Sequence, residues 1–139
     1  MNGDPVTPIG DANPSRTLPK RVLVIDDEPE ILEIVQLCLE GEGMSVLTAL
    51  GAKTGLETYE QRWREIGVVL LDYVMPEMTG DLVFEHLRRI NPESRVILLT
   101  GCDDQVARHM FEAGLSGYIQ KPFYIADLAQ RVLDELSLA

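Results

Sequence analysis

From residue 20 onward, the sequence alternates between short apolar runs and longer segments whose apolar residues recur every three or four positions. The apolar runs lie near residues 22–25, 45–49, 67–71, 95–99 and 117–120. Such runs are typical of strands buried on both faces, and the intervening pattern is typical of amphipathic helices. Five units of this kind predict an α/β fold: a doubly wound parallel sheet of five strands and five helices, joined by right-handed crossovers.

Each of the five predicted helices has a face of apolar residues that we expect to pack on the sheet. In chain order these faces consist of Ile31, Ile34, Val35, Cys38 and Leu39; of Ala52, Leu56, Tyr59 and Trp63; of Val83, Leu87 and Ile90; of Val106, Met110 and Ala113; and of Leu128, Val132 and Leu136. Pro29 suits the first turn of the first helix, and Gly41 and Gly43 are expected to end it. Gly114 is expected to cap the fourth helix.

Residues 1–19 differ in composition from the rest of the chain. They contain four of its eight prolines and few large apolar side chains. Burial in this segment could not offset the entropy lost on ordering it. We therefore predict a flexible, proline-rich N-terminal arm or linker over residues 1–19 and a folded domain over residues 20–139.

The chain is acidic, with 23 Asp and Glu residues against 12 Lys and Arg and a formal net charge of −11. This charge disfavours direct binding to nucleic acid and to anionic membrane surfaces. The sequence has neither an apolar run of transmembrane length nor a signal-peptide pattern, so we expect no membrane insertion and a cytoplasmic location. Cys38 and Cys102 form no metal-binding or redox motif, and we expect buried or free thiols.

Four of the predicted strands end in residues that can carry chemistry. The first ends in Asp26 and Asp27, the third in Asp72, the fourth in Thr100, and the fifth runs into Lys121. The carboxyl ends of an open parallel sheet form one rim, where ligands bind. A single acid there would be interpreted as a helix cap, but three converging carboxylates repel one another unless a cation compensates them. Oxygen ligands without His or Cys favour a hard ion, which predicts Mg²⁺, with Mn²⁺ as a substitute, and chemistry on a phosphoryl group.

These residues suit different tasks in phosphoryl transfer. Asp72 is the predicted nucleophile, because a carboxylate is already ionised at neutral pH. Asp26 and Asp27 are predicted to hold the metal ion, while Lys121 and Thr100 would stabilise the charge of the transferred group. Taken singly, Lys121 would be interpreted as a solvated surface lysine and Thr100 as an ordinary hydroxyl at a strand end, but their occurrence together with the acids, in order, favours the functional interpretation.

Four stretches stand in an order and spacing that resemble the receiver domains of response regulators, in the CheY-like superfamily. The resemblance covers residue 20 to the C-terminus and rests on residues 24–28 (VIDDE), 71–80 (LDYVMPEMTG), 99–101 (LTG) and 118–123 (YIQKPF). It implies a flavodoxin-like (βα)5 fold with strand order 2-1-3-4-5. It also implies a two-component or phosphorelay function, in which a phosphohistidine donates a phosphoryl group to Asp72. No external substrate is turned over, so the resemblance does not imply an enzyme in the usual sense.

The resemblance implies a role for each of several residues in this sequence. Asp72 matches the phosphoacceptor, Asp27 a direct Mg²⁺ ligand, and Asp26 a ligand that acts mainly through water. The backbone carbonyl of Val74 would complete the protein's share of the metal ligands. The implied partners are a histidine kinase or histidine phosphotransfer protein and a downstream effector that the sequence does not identify, and a homodimer is possible.

Thr100 and Tyr118 match the family's switch pair. The hydroxyl moves to the phosphoryl group and the ring swings inward, which changes the face formed by the fourth helix, the fifth strand and the fifth helix. Lys121 would contact the phosphoryl oxygens, and its bond to Pro122 would be cis. Gly80 matches a glycine of the loop after the third strand.

Two positions that vary among receivers, Val74 and Cys102, lie two residues after Asp72 and Thr100. Receivers often place side chains there that help or hinder water in reaching the phosphorylated aspartate. Neither valine nor cysteine orients water well. We therefore predict slow hydrolysis of phosphorylated Asp72.

Three other functions fit the sequence less well. A Mg²⁺-dependent phosphatase of the haloacid dehalogenase type has an Asp-x-Asp motif, but the residue two positions after Asp72 is Val74. Residues 51–54 (GAKT) lack the spacing of a phosphate-binding loop and are interpreted as a turn and a helix start. His86 and His109 lie on predicted helices of an alternating fold, so neither is interpreted as the phosphohistidine of a four-helix phosphotransfer protein. Retention of all five site groups argues against a receiver that no longer accepts phosphate.

Overall fold

The apolar runs of the sequence form one parallel sheet in a computed structural model that describes residues 20–101 and 104–138, apart from the side chains of residues 104 and 106. Its strands are β1 (Arg21–Asp26), β2 (Val46–Leu50), β3 (Ile66–Asp72), β4 (Val96–Thr100) and β5 (Gly117–Gln120). Their order in the sheet is β2-β1-β3-β4-β5, and every adjacent pair is parallel. The predicted flavodoxin-like topology is therefore confirmed.

Five α-helices connect and cover the strands. They are α1 (Pro29–Gly41), α2 (Ala52–Arg62), α3 (Gly80–Ile90), α4 (Asp104–Glu112) and α5 (Ile125–Leu136). A short 3₁₀ turn, Trp63–Glu65, follows α2. The predicted arm over residues 1–19 and the prediction for Cys102 lie outside the described residues.

The strands in the middle of the sheet are buried on both faces, as a doubly wound fold requires. All seven residues of β3 and all five of β4 are buried. Leu23, Leu71 and Leu98 point into one apolar core, and Val24 and Leu70 point into the other. Burial of each such side chain contributes about 1.5–3 kcal/mol to folding, so this apolar packing holds the strand ends in a fixed arrangement.

Glycine ends two of the helices as predicted. Gly43 has φ +90° and Gly114 has φ +108°, values that glycine adopts without strain. The amide of Met44 bonds the carbonyl of Leu39, and that of Leu115 bonds the carbonyl of Met110, both in the pattern of a Schellman cap. These caps end α1 and α4 at defined points.

The predicted apolar face of α1 was partly wrong. Leu32, Val35 and Leu39 are the buried residues of this helix, whereas Ile34 is 50% exposed. At 3.6 residues per turn, Ile34 lies about 160° around the helix from Leu32 and therefore faces away from the sheet. The chain carries apolar residues on most of the circumference of α1, so spacing alone did not identify the face that packs.

Two further residues depart from the predicted helical faces. Trp63 lies in the 3₁₀ turn after α2 and not on the helix itself, although its half-buried side chain still packs against the core. Ala113 lies beyond the end of α4 and is exposed. No helix within the described residues combines the length and the apolar character that crossing a membrane requires.

Candidate functional site

The carboxyl ends of β1 and β3 bring three acidic side chains together. Asp26 ends β1, Asp27 follows it, and Asp72 ends β3, the strand that pairs with β1. One carboxylate oxygen from each residue can be chosen so that all three lie within 4.8 Å of one another. This convergence was predicted from the strand ends, and its spacing suits a single metal ion.

Asp26 is the most enclosed of the three acids, with no exposed surface. Its Oδ1 accepts a hydrogen bond from the backbone amide of Glu28 at 3.0 Å, while its buried Oδ2 has no hydrogen-bond partner among the described residues. Burial, with a further contribution from the charge of Asp72, raises the pKa of Asp26 from 3.8 to about 6. A cation beside Oδ2 would remove this cost of holding a buried charge.

Lys121 forms an ion pair with Asp72 at the same rim. Its Nζ donates a 2.8 Å hydrogen bond to Asp72 Oδ1. Burial raises the pKa of Asp72, and Lys121 acts against that rise. Burial by itself would lower the pKa of Lys121, but the hydrogen bond to Asp72 and the charges of Asp72 and Asp26 outweigh burial. The pKa of Lys121 is therefore raised, and its ammonium group stays charged. This lysine compensates one of the three carboxylates, which leaves an excess of negative charge.

The backbone at the ends of β4 and β5 positions Lys121. Thr100 ends β4 and is almost fully buried. The amide of Lys121 donates a 2.8 Å hydrogen bond to the carbonyl of Thr100, which extends the β4–β5 pairing by one residue. The Lys121–Pro122 peptide bond is cis, as expected. The structure thus brings Thr100 and Lys121 to the same end of the sheet as the three acids.

Tyr118 lies on β5, in register with Leu98 of β4, and is half-buried. Its ring meets the ring of Phe111 on α4 edge to face, with centroids 5.8 Å apart and an interplanar angle of 71°. Sequence reasoning missed Phe111, because it lies next to Met110 and off the predicted face of α4. No local pattern indicates a contact between a helix and the strand that follows it.

The loop between β3 and α3 carries Val74, whose side chain is 64% exposed. The amide of Gly80 donates a 2.7 Å hydrogen bond to the carbonyl of Tyr73, and this bond closes the loop. A Cβ at Gly80 would lie 2.8 Å from Tyr73 Cα and 3.0 Å from the carbonyl oxygen of Asp72. Glycine is therefore required by the close approach of α3 to the end of β3.

Other residues considered from the sequence lie apart from this chemistry. Gly51 precedes α2, which begins at Ala52, so the predicted turn and helix start are confirmed. His86 lies on α3 and His109 on α4, and both belong to the alternating fold as expected. The His109 side chain is 90% exposed.

Residues 22–133 match the family model described as the response regulator receiver domain. The chain belongs to this family. Among related proteins, it is 37% identical over 117 residues to the probable transcriptional regulatory protein TcrX of Mycobacterium tuberculosis, covering 82% of this chain and 48% of TcrX. It is 31% identical over 116 residues to the sensor kinase CckA of Brucella abortus, covering 83% of this chain and 12% of CckA. The receiver domain thus spans about half of the first protein and a small part of the second.

Solved structures of receiver domains have the same fold. A response regulator receiver domain from Clostridium thermocellum superposes with a TM-score of 0.81 at 31% identity, covering 86% of this chain and 95% of that one. A chain of the CheX-CheY-BeF3-Mg complex of Borrelia burgdorferi superposes with a TM-score of 0.80 at 25% identity, covering 88% of this chain and 92% of that one. The chain is therefore a receiver domain of the two-component type, and the comparisons give no support to the phosphatase alternative.

Proposed function

We propose that this receiver domain accepts a phosphoryl group on Asp72 from a phosphohistidine, in a reaction that requires a divalent metal ion. The observation that carries the proposal is the convergence of Asp26, Asp27 and Asp72 within 4.8 Å, with Lys121 bonded to Asp72. The donor is a histidine kinase or a histidine phosphotransfer protein. We assign the receiver domain to residues 20–139 and place the reaction in the cytoplasm.

The residues at the rim fit a hard divalent cation. Asp26 Oδ2 is buried without a partner among the described residues, and the three acids outnumber the lysine that faces them. Carboxylate and carbonyl oxygens are the ligands that Mg²⁺ prefers, and Mn²⁺ accepts the same set. Asp26, Asp27, Asp72 and the backbone carbonyl of Val74 would hold the ion. When bound, it would neutralise negative charge on the carboxylates and the phosphoryl oxygens.

Asp72 then acts as the nucleophile. One of its carboxylate oxygens forms a bond to phosphorus while the phosphorus–nitrogen bond of the donor breaks, and the histidine nitrogen keeps the electron pair. The raised pKa of Asp72 is opposed by Lys121, which keeps the carboxylate ionised for attack. The Lys121 ammonium and the Thr100 hydroxyl stabilise the charge on the phosphoryl oxygens. The phosphorylated domain is itself the product, and it returns to its starting state by hydrolysis.

Thr100 and Tyr118 convert this event into a change of surface. Thr100 ends the strand beside β3, and Tyr118 lies on the next strand, in contact with Phe111 of α4. Movement of the Thr100 hydroxyl toward the phosphoryl group opens space that the Tyr118 ring fills, and α4 loses its edge contact. The output surface is therefore the face formed by α4, β5 and α5. This surface binds a downstream effector or a second copy of the domain. The acidic chain does not itself bind nucleic acid.

Chemical trapping of the phosphorylated residue tests the proposal. A small phosphodonor and Mg²⁺ should produce an acyl phosphate, which borohydride reduces to an alcohol. Peptide mapping is expected to find homoserine at position 72 and at no other aspartate. Reduction at Asp26 or Asp27, or at none of the three with the fold intact, would contradict the assignment.

A further inference from the structure

The side chain of Glu77 joins two loops at the rim of the site. Glu77 lies between β3 and α3, five residues after Asp72. Its Oε1 accepts a hydrogen bond from the backbone amide of Lys53, in the first turn of α2, at 3.2 Å. This contact links segments 24 residues apart in the sequence, so it fixes the β3–α3 loop relative to a different part of the fold.

Within the described part of the chain, the N-cap position of α2 makes no side-chain capping hydrogen bond of its own. Its N-cap residue is Gly51, which has no side chain, and its first turn contains no acidic residue. Helix N-termini carry free amides and a partial positive charge, which a carboxylate satisfies. Glu77 supplies that carboxylate from another loop. Gly51 also has φ +92°, and a Cβ on it would lie 3.0 Å from Glu77 Oε1, so glycine provides both the turn and the space.

The same turn is bonded to the end of β1. The amide of Gly51 donates a 2.9 Å hydrogen bond to the carbonyl of Asp26. A short chain of contacts therefore runs from Asp26 through the start of α2 to Glu77, and so to the loop that carries Val74. Asp26 at one end of this series of contacts, and the Val74 carbonyl in the loop at the other end, are groups that the proposed function assigns to the metal ion.

We propose that Glu77 is a positioning residue that holds the β3–α3 loop, and with it the Val74 carbonyl, at the spacing from Asp26 that a metal ion needs. This inference rests on the proposed function. Met75 anchors this loop in the apolar core, but Val74 and Glu77 on either side of it have exposed side chains, so burial does not fix the loop at these two positions. The competing interpretation is a helix cap that stabilises α2 and leaves metal binding unaffected.

Mg²⁺ titration by isothermal calorimetry separates these interpretations. The whole chain is compared with Glu77→Ala, with Glu77→Gln and with a control, Glu57→Ala, which removes an exposed glutamate from α2. Glu77→Ala should weaken Mg²⁺ binding about 10-fold, as is usual when a group that orients a ligand is removed. Glu57→Ala should leave the Kd unchanged. Glu77→Gln keeps an oxygen acceptor without the charge, so it should recover part of the affinity.

The outcomes are distinct. A lower melting temperature without Mg²⁺, together with an unchanged Kd in both Glu77 variants, would identify a simple helix cap and overturn the inference. An equal loss of affinity in Glu77→Ala and Glu77→Gln would show an effect of charge and would also overturn it. If the wild-type chain itself bound no Mg²⁺, the proposed function would fail as well, which distinguishes that result from the other two.

Discussion

Lys121 Nζ lies 2.8 Å from Asp72 Oδ1 at the carboxyl edge of the sheet, where it pairs with one of three clustered carboxylates. The backbone of Lys121 is fixed in place because its amide donates a hydrogen bond to the carbonyl of Thr100. Lys121 is therefore placed by β4 and β5 and Asp72 by β3, while the other two acids are placed by β1. Among the described residues no lysine or arginine forms an ion pair with Asp26, so the site favours a bound metal ion.

Replacement of Lys121 by Ala should slow phosphorylation of Asp72 strongly. The ammonium keeps Asp72 ionised and would stabilise the charge of the phosphoryl group, so we expect a rate about 10²-fold lower, in the range found when one charge-stabilising donor is removed. The rate of phosphoprotein formation from a small phosphodonor measures this effect. Lys53→Ala, which removes an exposed lysine, is the control and should react normally. A Lys121→Ala variant as fast as this control would rule out a role for the ammonium.

Replacement of Asp26 by Asn should stabilise the metal-free domain at neutral pH. The pKa of Asp26 is raised from 3.8 to about 6 in the folded state. The folded state therefore favours the protonated acid, and the stability that this provides is present below pH 3.8 and lost as the pH rises through 6. At pH 7 the charged form costs about 3 kcal/mol, and an uncharged amide avoids this cost.

Urea unfolding in the presence of a chelator checks this prediction at pH 5 and pH 7. Asp26→Asn should gain stability over wild type, with the larger gain at pH 7. Asp134→Asn, at an exposed position of α5, should change little at either pH. Added Mg²⁺ should stabilise wild type more than Asp26→Asn. A loss of stability in metal-free Asp26→Asn at pH 7 would refute this account of the buried acid.

The identity of residue 74 should control the lifetime of the phosphorylated state. The Val74 side chain is 64% exposed and follows Asp72 by two residues, but it cannot hydrogen-bond a water molecule. Val74→Asn introduces a group that can orient water, and we expect hydrolysis about 10-fold faster. The decay of phosphorylated protein after removal of the donor gives the rate, with Val74→Ala as the control for side-chain size. Equal decay in Val74→Asn and Val74→Ala would contradict the prediction.

Loss of the Phe111 ring should favour the phosphorylated conformation. The edge-to-face contact between Phe111 and Tyr118 contributes about 0.5–1.5 kcal/mol, and the proposed switch breaks it. Phe111→Ala should therefore be phosphorylated several-fold faster by a small donor, because the unphosphorylated conformation loses that stabilisation. Leu82→Ala removes an exposed apolar side chain from α3 and should react like wild type. A slower Phe111→Ala variant would show that the ring supports the opposite state.

The fold could be predicted because its central strands are buried on both faces, and such strands consist of continuous apolar runs that are visible in the sequence. The orientation of α1 could not, because Ile31, Ile34 and Leu37 add apolar side chains around most of the helix. Packing against the sheet buries Leu32, which the predicted face omitted, beside Val35 and Leu39, which it included, and leaves Ile34 exposed. That choice depends on where the strand beneath the helix lies.

The same limit applies to the site. The order of acids at strand ends predicted that Asp26, Asp27 and Asp72 converge, since parallel strands bring their carboxyl ends to one edge. The unpartnered Oδ2 of Asp26 and the contact of Glu77 with α2 depend on distances between loops. No local pattern encodes such distances, so the structure was needed to find them.

Intact mass spectrometry shows whether Asp72 accepts a phosphoryl group. The whole chain is incubated with Mg²⁺ and a small phosphodonor, beside Asp72→Ala and a chelator control. Wild type should gain the mass of one phosphoryl group, and neither Asp72→Ala nor wild type without the metal ion should gain any. No adduct on a folded, Mg²⁺-bound wild-type chain, or an undiminished adduct on Asp72→Ala, would contradict it.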